Sequence, residues 1–164
     1  MSKKRCDNIR RYLTIDPGTY NPAICVMDLN IQTRELELVF LEKDNWTNYK
    51  KQIPMILNHF VPDFVFVEFQ PNRSTTIRKY GHFIEGFCAA RGMCFGLCAP
   101  IAYKKGLKKY GDRKKYSIEL FLETIRELKL NFTYEKYKSK LDDIADAFNM
   151  NIRNIVESKL FASL

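Results

Sequence analysis

The stretch DFVFVEF at 63–69 decides the fold, because it is the most apolar run of the chain and yet carries an acidic residue, Glu68. An almost unbroken apolar run of this length is typical of a strand buried on both faces, as in a parallel sheet. Burying a lone carboxylate costs on the order of several kcal/mol unless a partner, a proton or a metal ion compensates its charge. Glu68 therefore predicts either a metal site or a buried salt bridge to an arginine.

Three strands are predicted before this run, as an antiparallel meander. They cover 11–16, 22–29 and 34–42. The third strand alternates most clearly, because Leu36, Leu38 and Phe40 fall on one face. Residues 30–33 form the predicted hairpin connection between the second and third strands.

The other predicted elements are mostly helices. Helices are expected at 45–60, 72–91, 114–130 and 139–160, a fifth strand at 93–98 and a loop at 99–113. Pro54 interrupts the pattern of the first helix, whereas Ser74 is a candidate N-cap and Gly92 a stop signal for the second. The order is β-β-β-α-β-α-β-α-α, an α/β arrangement. The length favours a single domain over 1–164, with its core at about 10–160.

Composition and charge limit the partners and the compartment. The formal net charge of +8 favours negatively charged partners. Five cysteines without a CxxC pair or zinc-finger spacing predict reduced thiols, most of them small apolar side chains in or near the core of an intracellular protein. The chain shows no secretory signal and no apolar run of about 20 residues, so no membrane association is expected.

Further carboxylates follow the first strand and begin the last helix. Asp16 ends the first strand, directly before Pro-Gly, where an aspartate that only initiates a turn is the alternative. In LDDIADAF at 141–148, Asp143 and Asp146 are three apart and share a helical face. Asp142 and Asp146 are four apart and also share one, but the buried stripe of Ile144 favours the first pair. The alternative is an acidic helix start placed on the macrodipole.

Together these acids predict a metal centre. Asp16, Glu68, Asp143 and Asp146 would supply only oxygen ligands, which suit Mg²⁺ or Mn²⁺ rather than zinc. Such a centre activates water and stabilises a leaving oxygen in phosphodiester cleavage. The residues alone therefore indicate a metal-dependent enzyme that acts on phosphodiesters.

Basic residues cluster in YKKGLKKYGDRKK at 103–115, where seven cations accompany one aspartate. Cations interleaved with tyrosines suit phosphate contacts and base stacking, and the alternative is a solvated loop. A second cluster follows Glu68. The predicted nucleic-acid contacts are Arg73, Arg78, Lys79, Lys104, Lys105, Lys108, Lys109, Arg113 and Lys114.

Three motifs in order, IDPGT at 15–19, VFVEF at 65–69 and DDIADAF at 142–148, resemble those of the RuvC-type Holliday junction resolvases, and of their poxvirus branch in particular. These nucleases belong to the ribonuclease H-like superfamily. The resemblance covers about residues 10–160. It implies a five-stranded mixed sheet whose first three strands are antiparallel, with helices on both faces.

The resemblance also implies an activity and its residues. It implies a homodimer that binds four-way DNA junctions and makes paired nicks with Mg²⁺ or Mn²⁺, in a poxvirus within the cytoplasm of the infected cell. The catalytic acids carry over to Asp16, Glu68, Asp143 and Asp146. A basic residue of the family falls on Lys115, which Ile118 follows at the family's spacing, with Lys114 as the alternative.

Other activities are compatible with parts of this pattern. A ribonuclease H-like nuclease acting on flaps or RNA–DNA hybrids would share the fold and the acids. A non-catalytic nucleic-acid-binding module would need the fold but none of the acids. Sugar-kinase and actin-like proteins also use a DPGT loop, but a chain of 164 residues lacks room for their second lobe.

Overall fold

Five strands form one mixed sheet in the computed structural model of the protein, which describes residues 6–18, 20–69, 75–100, 106–137 and 140–158. The strands are β1 (Ile9–Asp16), β2 (Ala23–Asn30), β3 (Leu36–Lys43), β4 (Phe64–Glu68) and β5 (Cys94–Cys98). Their order across the sheet is β3-β2-β1-β4-β5.

The directions of the strands confirm the expected topology. β1 pairs antiparallel with β2, and β2 pairs antiparallel with β3. β4 lies parallel to β1 on one side and to β5 on the other. The apolar run that contains Glu68 is therefore an interior parallel strand, as its composition predicts.

Helices cover both faces of the sheet. They are α1 (Tyr49–Phe60), α2 (Thr75–Arg91), α3 (Tyr110–Glu127) and α4 (Leu141–Glu157), with a 3₁₀ helix at Glu135–Tyr137. Leu13 and Ile15 of β1 point toward α1 and α2, and Tyr12 points toward α3 and α4. This alternation follows from the two-residue period of a strand and divides the core into two layers.

Two helices, α1 and α3, begin four residues away from their predicted starts. α1 starts at Tyr49 rather than 45, and Trp46 is buried in the preceding loop. α3 starts at Tyr110 rather than 114, so residues 110–113, which were predicted as loop, are helical. It ends at Glu127 rather than 130, and Leu128, the residue after it, is 43% exposed. The start of α3 escapes prediction because Lys109 caps it without a side-chain hydrogen bond. The predicted cap Ser74 lies outside the described residues.

The cysteines are all free thiols, but they occupy two environments. Cys25, Cys88 and Cys98 are buried, as expected for small apolar side chains. Cys6 and Cys94 are exposed and do not follow this prediction. Within the described ranges, no helix has both the length and the apolar character needed to cross a membrane.

Phe148 is fully buried in the layer that α3 and α4 form with the sheet, and its ring centroid lies 5.0 Å from that of Phe121. We expect Phe148→Ala to lower the free energy of unfolding by about 3–5 kcal/mol, because it leaves a cavity among packed rings. Val156→Ala on the same helix removes a half-exposed side chain and should change that free energy by less than about 0.5 kcal/mol. Urea denaturation measures both, and equal losses would contradict the assigned packing.

Candidate active site

The register of β1 and β4 brings two acids to one edge of the sheet. Ile15 pairs with Val67, so Asp16 and Glu68 follow at the ends of neighbouring parallel strands. Tyr12, Phe64 and Phe66 all pack in the layer of α3 and α4, and the two-residue period places Asp16 and Glu68 on that same face. Parallel pairing therefore juxtaposes the acids that the sequence singles out.

The turn after Asp16 explains its Pro-Gly sequence. Pro17 is buried, and a Cβ on Gly18 would lie 2.8 Å from the carbonyl oxygen of Asn21. Only glycine allows the chain to approach itself so closely. The turn-forming residues are therefore Pro17 and Gly18, and Asp16 remains the last residue of the strand.

Helix α4 supplies the other two acids and is held close to the sheet. Ala145 and Ala147 are fully buried, so the helix approaches the strands without large side chains between them. The amide of Asn151 donates hydrogen bonds to the carbonyl oxygens of Tyr12, at 3.2 Å, and Cys25, at 3.0 Å. These contacts fix the position of α4, and with it Asp143 and Asp146, relative to β1 and β2.

The four carboxylates act on one another electrostatically. Burial raises the pKa of Asp16 well above its ordinary value, and the charges of Glu68, Asp146 and Asp143 raise it further. Lys43 partly opposes them by lowering the same pKa. The structure thus brings together the acids chosen by sequence.

Asp146 has its own network of donors. Burial raises its pKa to about 6, and a hydrogen bond from the Ser117 hydroxyl opposes that rise. The amide of Asn149 donates in turn to the carbonyl oxygen of Ser117 at 2.8 Å and to its hydroxyl oxygen at 3.1 Å. Ser117 and Asn149 are both buried, so they orient Asp146 from below the surface.

The two candidate lysines of α3 point in different directions. The Lys114 ammonium lies 2.5 Å from a carboxylate oxygen of Asp142, and its charge lowers the pKa of Asp146. The side chain of Lys115 is 76% exposed, with its ammonium 3.8 Å from Glu119 one turn along α3. Lys114 is therefore the lysine that reaches the acidic end of α4, and Asp142 is its partner.

Three contributors were not predicted from the sequence: Lys43, Ser117 and Asn149. Lys43 ends β3, and its ammonium donates to Asp143. Ser117 lies four residues before Phe121 on the buried stripe of α3. A polar residue on an otherwise apolar stripe is a signal that sequence can carry, whereas the pairing of Lys43 depends on strand register.

The predicted nucleic-acid contacts are only partly within the described residues. Arg78 lines a cleft of about 290 Å³ that also reaches Pro17, Glu68 and His82. The side chains of Arg78, Lys79, Lys108 and Lys109 are exposed, and those of Arg113 and Lys114 are half-buried. Arg73, Lys104 and Lys105 lie outside the described residues.

The donor chemistry of the four acids fits a divalent ion. Their oxygens are of the kind that Mg²⁺ and Mn²⁺ prefer, and their mutual repulsion calls for a cation. As the side chains stand, no three Asp, Glu, His or Cys residues among those described converge closely enough to hold a metal. Asp143 instead accepts from Lys43, and Asp146 accepts from Ser117.

A five-stranded sheet in this order, with acids at two strand ends and on a covering helix, is the fold of the RuvC-type Holliday junction resolvases. The chain belongs to the family described as Poxvirus A22 protein, whose sequence pattern matches residues 12–158. Nucleases of this class generally depend on divalent metal ions. The predicted fold and the predicted family are both confirmed.

Individual relatives agree with this assignment. A Holliday junction resolvase of fowlpox virus is 33% identical over 142 residues, which cover 85% of this chain and 88% of the relative. The solved complex of fowlpox virus resolvase with substrate Holliday junction DNA has a TM-score of 0.72 and 29% identity, covering 88% of this chain and 96% of that one. RuvC of T. thermophilus, solved with a Holliday junction substrate, has a TM-score of 0.60 at 15% identity, over 93% and 95% of the two chains, and supports the fold alone.

The raised pKa of Asp146 predicts that its charge destabilises the metal-free protein. Since the pKa rises from an ordinary value near 4 to about 6 on folding, ionised Asp146 lowers the free energy of unfolding above pH 6. We expect Asp146→Asn to raise that free energy at pH 7 by roughly 1–3 kcal/mol. The gain should shrink as the pH falls through about 6 and vanish below about 4.

Urea denaturation at several pH values, with chelator present, measures this effect. Glu119→Gln neutralises an exposed acid of α3 and serves as the control, with an expected change below about 0.5 kcal/mol. A destabilised Asp146→Asn protein at pH 7 would show that the carboxylate is favourably compensated without metal.

Proposed function

We propose that the protein is a structure-selective DNA endonuclease that resolves four-way junctions by metal-dependent hydrolysis of phosphodiester bonds. The observation that carries this proposal is that Asp16 and Glu68 end neighbouring parallel strands and that the charges of Glu68, Asp143 and Asp146 all raise the pKa of Asp16. It is supported by membership of a family in which the fowlpox virus relative is a Holliday junction resolvase.

The four acids are the proposed ligands of Mg²⁺ or Mn²⁺. A bound divalent ion supplies an activated water and stabilises the charge of the leaving oxygen. The chain itself positions the ligands: β1 and β4 hold Asp16 and Glu68, and Ser117 orients Asp146. Mg²⁺ and Mn²⁺ are both proposed because both are hard cations that prefer oxygen ligands.

Lys114 is the proposed catalytic lysine, in preference to Lys115. Its ammonium lies at the acidic end of α4, paired with Asp142, whereas Lys115 is largely in solvent. The hydrogen bond from Lys114 to Asp142 raises the pKa of the lysine, so its ammonium stays charged at neutral pH. A fixed positive charge at this place would stabilise a phosphate as negative charge develops on it.

The start of α3 is the proposed contact with DNA strands. Tyr110 is 61% exposed, with the Lys114 ammonium 4.7 Å and the Arg113 guanidinium 5.8 Å from its ring centre. An exposed ring with two cations close to it combines a stacking surface with phosphate-binding charges. Arg78, at the cleft beside Glu68, would extend this surface along α2.

A homodimer is the proposed working form. Paired nicks in opposing strands of a two-fold junction are most simply made by two copies related by the same symmetry. On α2, Ile77 and Ile84 are buried within their own chain, which leaves the half-buried Phe83 and Phe87 for an interface.

The proposed location is the cytoplasm of the infected cell, and the likeness to poxvirus proteins supports it.

A panel of substrates tests the proposed activity. Purified protein is incubated with four-way junctions, flaps, RNA–DNA hybrids and duplexes of matched sequence, with Mg²⁺, Mn²⁺ or chelator. Symmetrical nicking of the junction in both ions, lost with chelator, is the expected result. Preference for flaps or hybrids would instead assign a different nuclease activity to the same acids.

Asp143→Asn should lower junction cleavage by at least about a thousandfold, because a metal site worth several kcal/mol loses a charged ligand. Junction binding should persist, since the basic residues are unchanged. Single-turnover cleavage and a mobility-shift assay measure the two effects. Glu119→Gln, which removes an exposed acid of α3, should cleave at the wild-type rate, and full activity of the Asp143→Asn protein would overturn the assignment.

Lys114→Met and Lys115→Met separate the two candidate lysines. We expect Lys114→Met to lower the cleavage rate by about a hundredfold, as for loss of one electrostatic group at a reacting phosphate. Lys115→Met should change the rate by less than about threefold, because it removes only an exposed pair with Glu119. The reverse order of effects in single-turnover cleavage would restore Lys115 as the catalytic residue.

A further inference from the structure

Lys43 lies in the same transverse row of the sheet as Asp16. Asp16 pairs with Ala23 in β2, and Ala23 pairs with Lys43 in β3. Directly paired residues present their side chains on one face, so all three point toward α4. Strands spaced about 4.8 Å apart place Lys43 roughly 10 Å from Asp16, with the small Ala23 between them.

The Lys43 ammonium reaches into this space from the edge of the sheet. It donates to Oδ2 of Asp143, and its side chain is only 19% exposed, against 42% for Asp143. Its charge also lowers the pKa of Asp16, so it acts on acids of both β1 and α4. The Lys43 ammonium therefore reduces the repulsion among these acids, as a bound metal ion would.

An ion pair at this place competes with a metal for the same oxygen. While Oδ2 of Asp143 accepts from Lys43, a divalent ion on the same carboxylate would lie close to the ammonium and be repelled by it. Breaking a half-buried pair also costs more than breaking an exposed one, since solvent screens it less. Metal binding is therefore an exchange of one cation for another.

We propose that Lys43 is a positioning residue that holds Asp143 in the metal-free protein and releases it when a divalent ion binds. The proposal rests on the proposed function in one respect, which is that Asp143 is a metal ligand. The proposal makes two predictions. Lys43 stabilises the folded protein when no metal is bound, and the positive charge of Lys43 weakens the affinity of the site for a metal ion.

The competing explanation is a purely structural clamp between β3 and α4. Such a clamp would stabilise the protein but leave metal affinity unchanged, or improve it by holding Asp143 in place. A matched pair lies next to Lys43 on the same strand: Glu42 accepts from Lys136 at 2.8 Å, where both side chains are about half exposed. Lys136→Met thus removes an ion pair of β3 outside the acid cluster.

The test is a calorimetric titration of Mn²⁺ into the full chain without DNA, for wild type, Lys43→Met and Lys136→Met. We expect Lys43→Met to bind Mn²⁺ at least about tenfold more tightly than wild type, because a positive charge a few ångströms from the ion is gone. Lys136→Met should match the wild type. The metal-free Lys43→Met protein should also melt at a lower temperature than wild type and regain more on adding Mn²⁺.

Equal or weaker Mn²⁺ binding by Lys43→Met would overturn the proposal. Lys43→Gln, which keeps a polar group of similar length, provides the same comparison if the methionine variant does not fold. Lys43→Arg retains the charge and should bind Mn²⁺ as the wild type does. Tighter binding by Lys43→Arg would show that charge is not the cause.

Failure of this proposal is separable from failure of the proposed function. If the wild type cleaves junctions and binds Mn²⁺ but Lys43→Met binds it no more tightly, only the role of Lys43 is lost. If the wild type neither binds Mn²⁺ nor cleaves, the metal-dependent activity is lost, and the role of Lys43 with it.

Discussion

The parallel pairing of β1 with β4 is the constraint on which the rest of the structure depends. Parallel neighbours require a crossover, and here β2, β3 and α1 intervene between the two strands. The same pairing leaves Asp16 and Glu68 side by side where both strands end. The apolar residues that bury β4 therefore also keep water away from the ends of β1 and β4. A single carboxylate placed there would destabilise the fold, whereas several together can bind a cation.

The acids of α4 are compensated by residues of two other elements, β3 and α3, rather than by residues of their own helix. Lys43 reaches Asp143 from β3, Ser117 reaches Asp146 from α3, and Lys114 pairs with Asp142. Each donor faces a different carboxylate of α4. The protein thus distributes opposing charge around the cluster, which keeps it folded while leaving acids whose pKa values remain raised.

Much of this arrangement is readable from the sequence, where local pattern and burial agree. The run around Glu68 predicts a buried parallel strand, and the spacing of Asp143 and Asp146 predicts one helical face; both elements are present. Lys43 could not be found this way, because its role depends on pairings across three strands. The directions in which Lys114 and Lys115 point could not be predicted either. They depend on where α3 starts, and no residue with a capping side chain marks that start.

The hydrogen bonds of Asn151 limit which insertions and deletions α4 can accept. Its amide bridges the carbonyl oxygens of Tyr12 and Cys25, five residues along α4 from Asp146. One inserted residue between them would turn the acids by about 100° and shift them by about 1.5 Å relative to this anchor. The number of residues between Asp146 and Asn151 is therefore fixed, because an insertion or deletion there would move the acids away from the ends of β1 and β4.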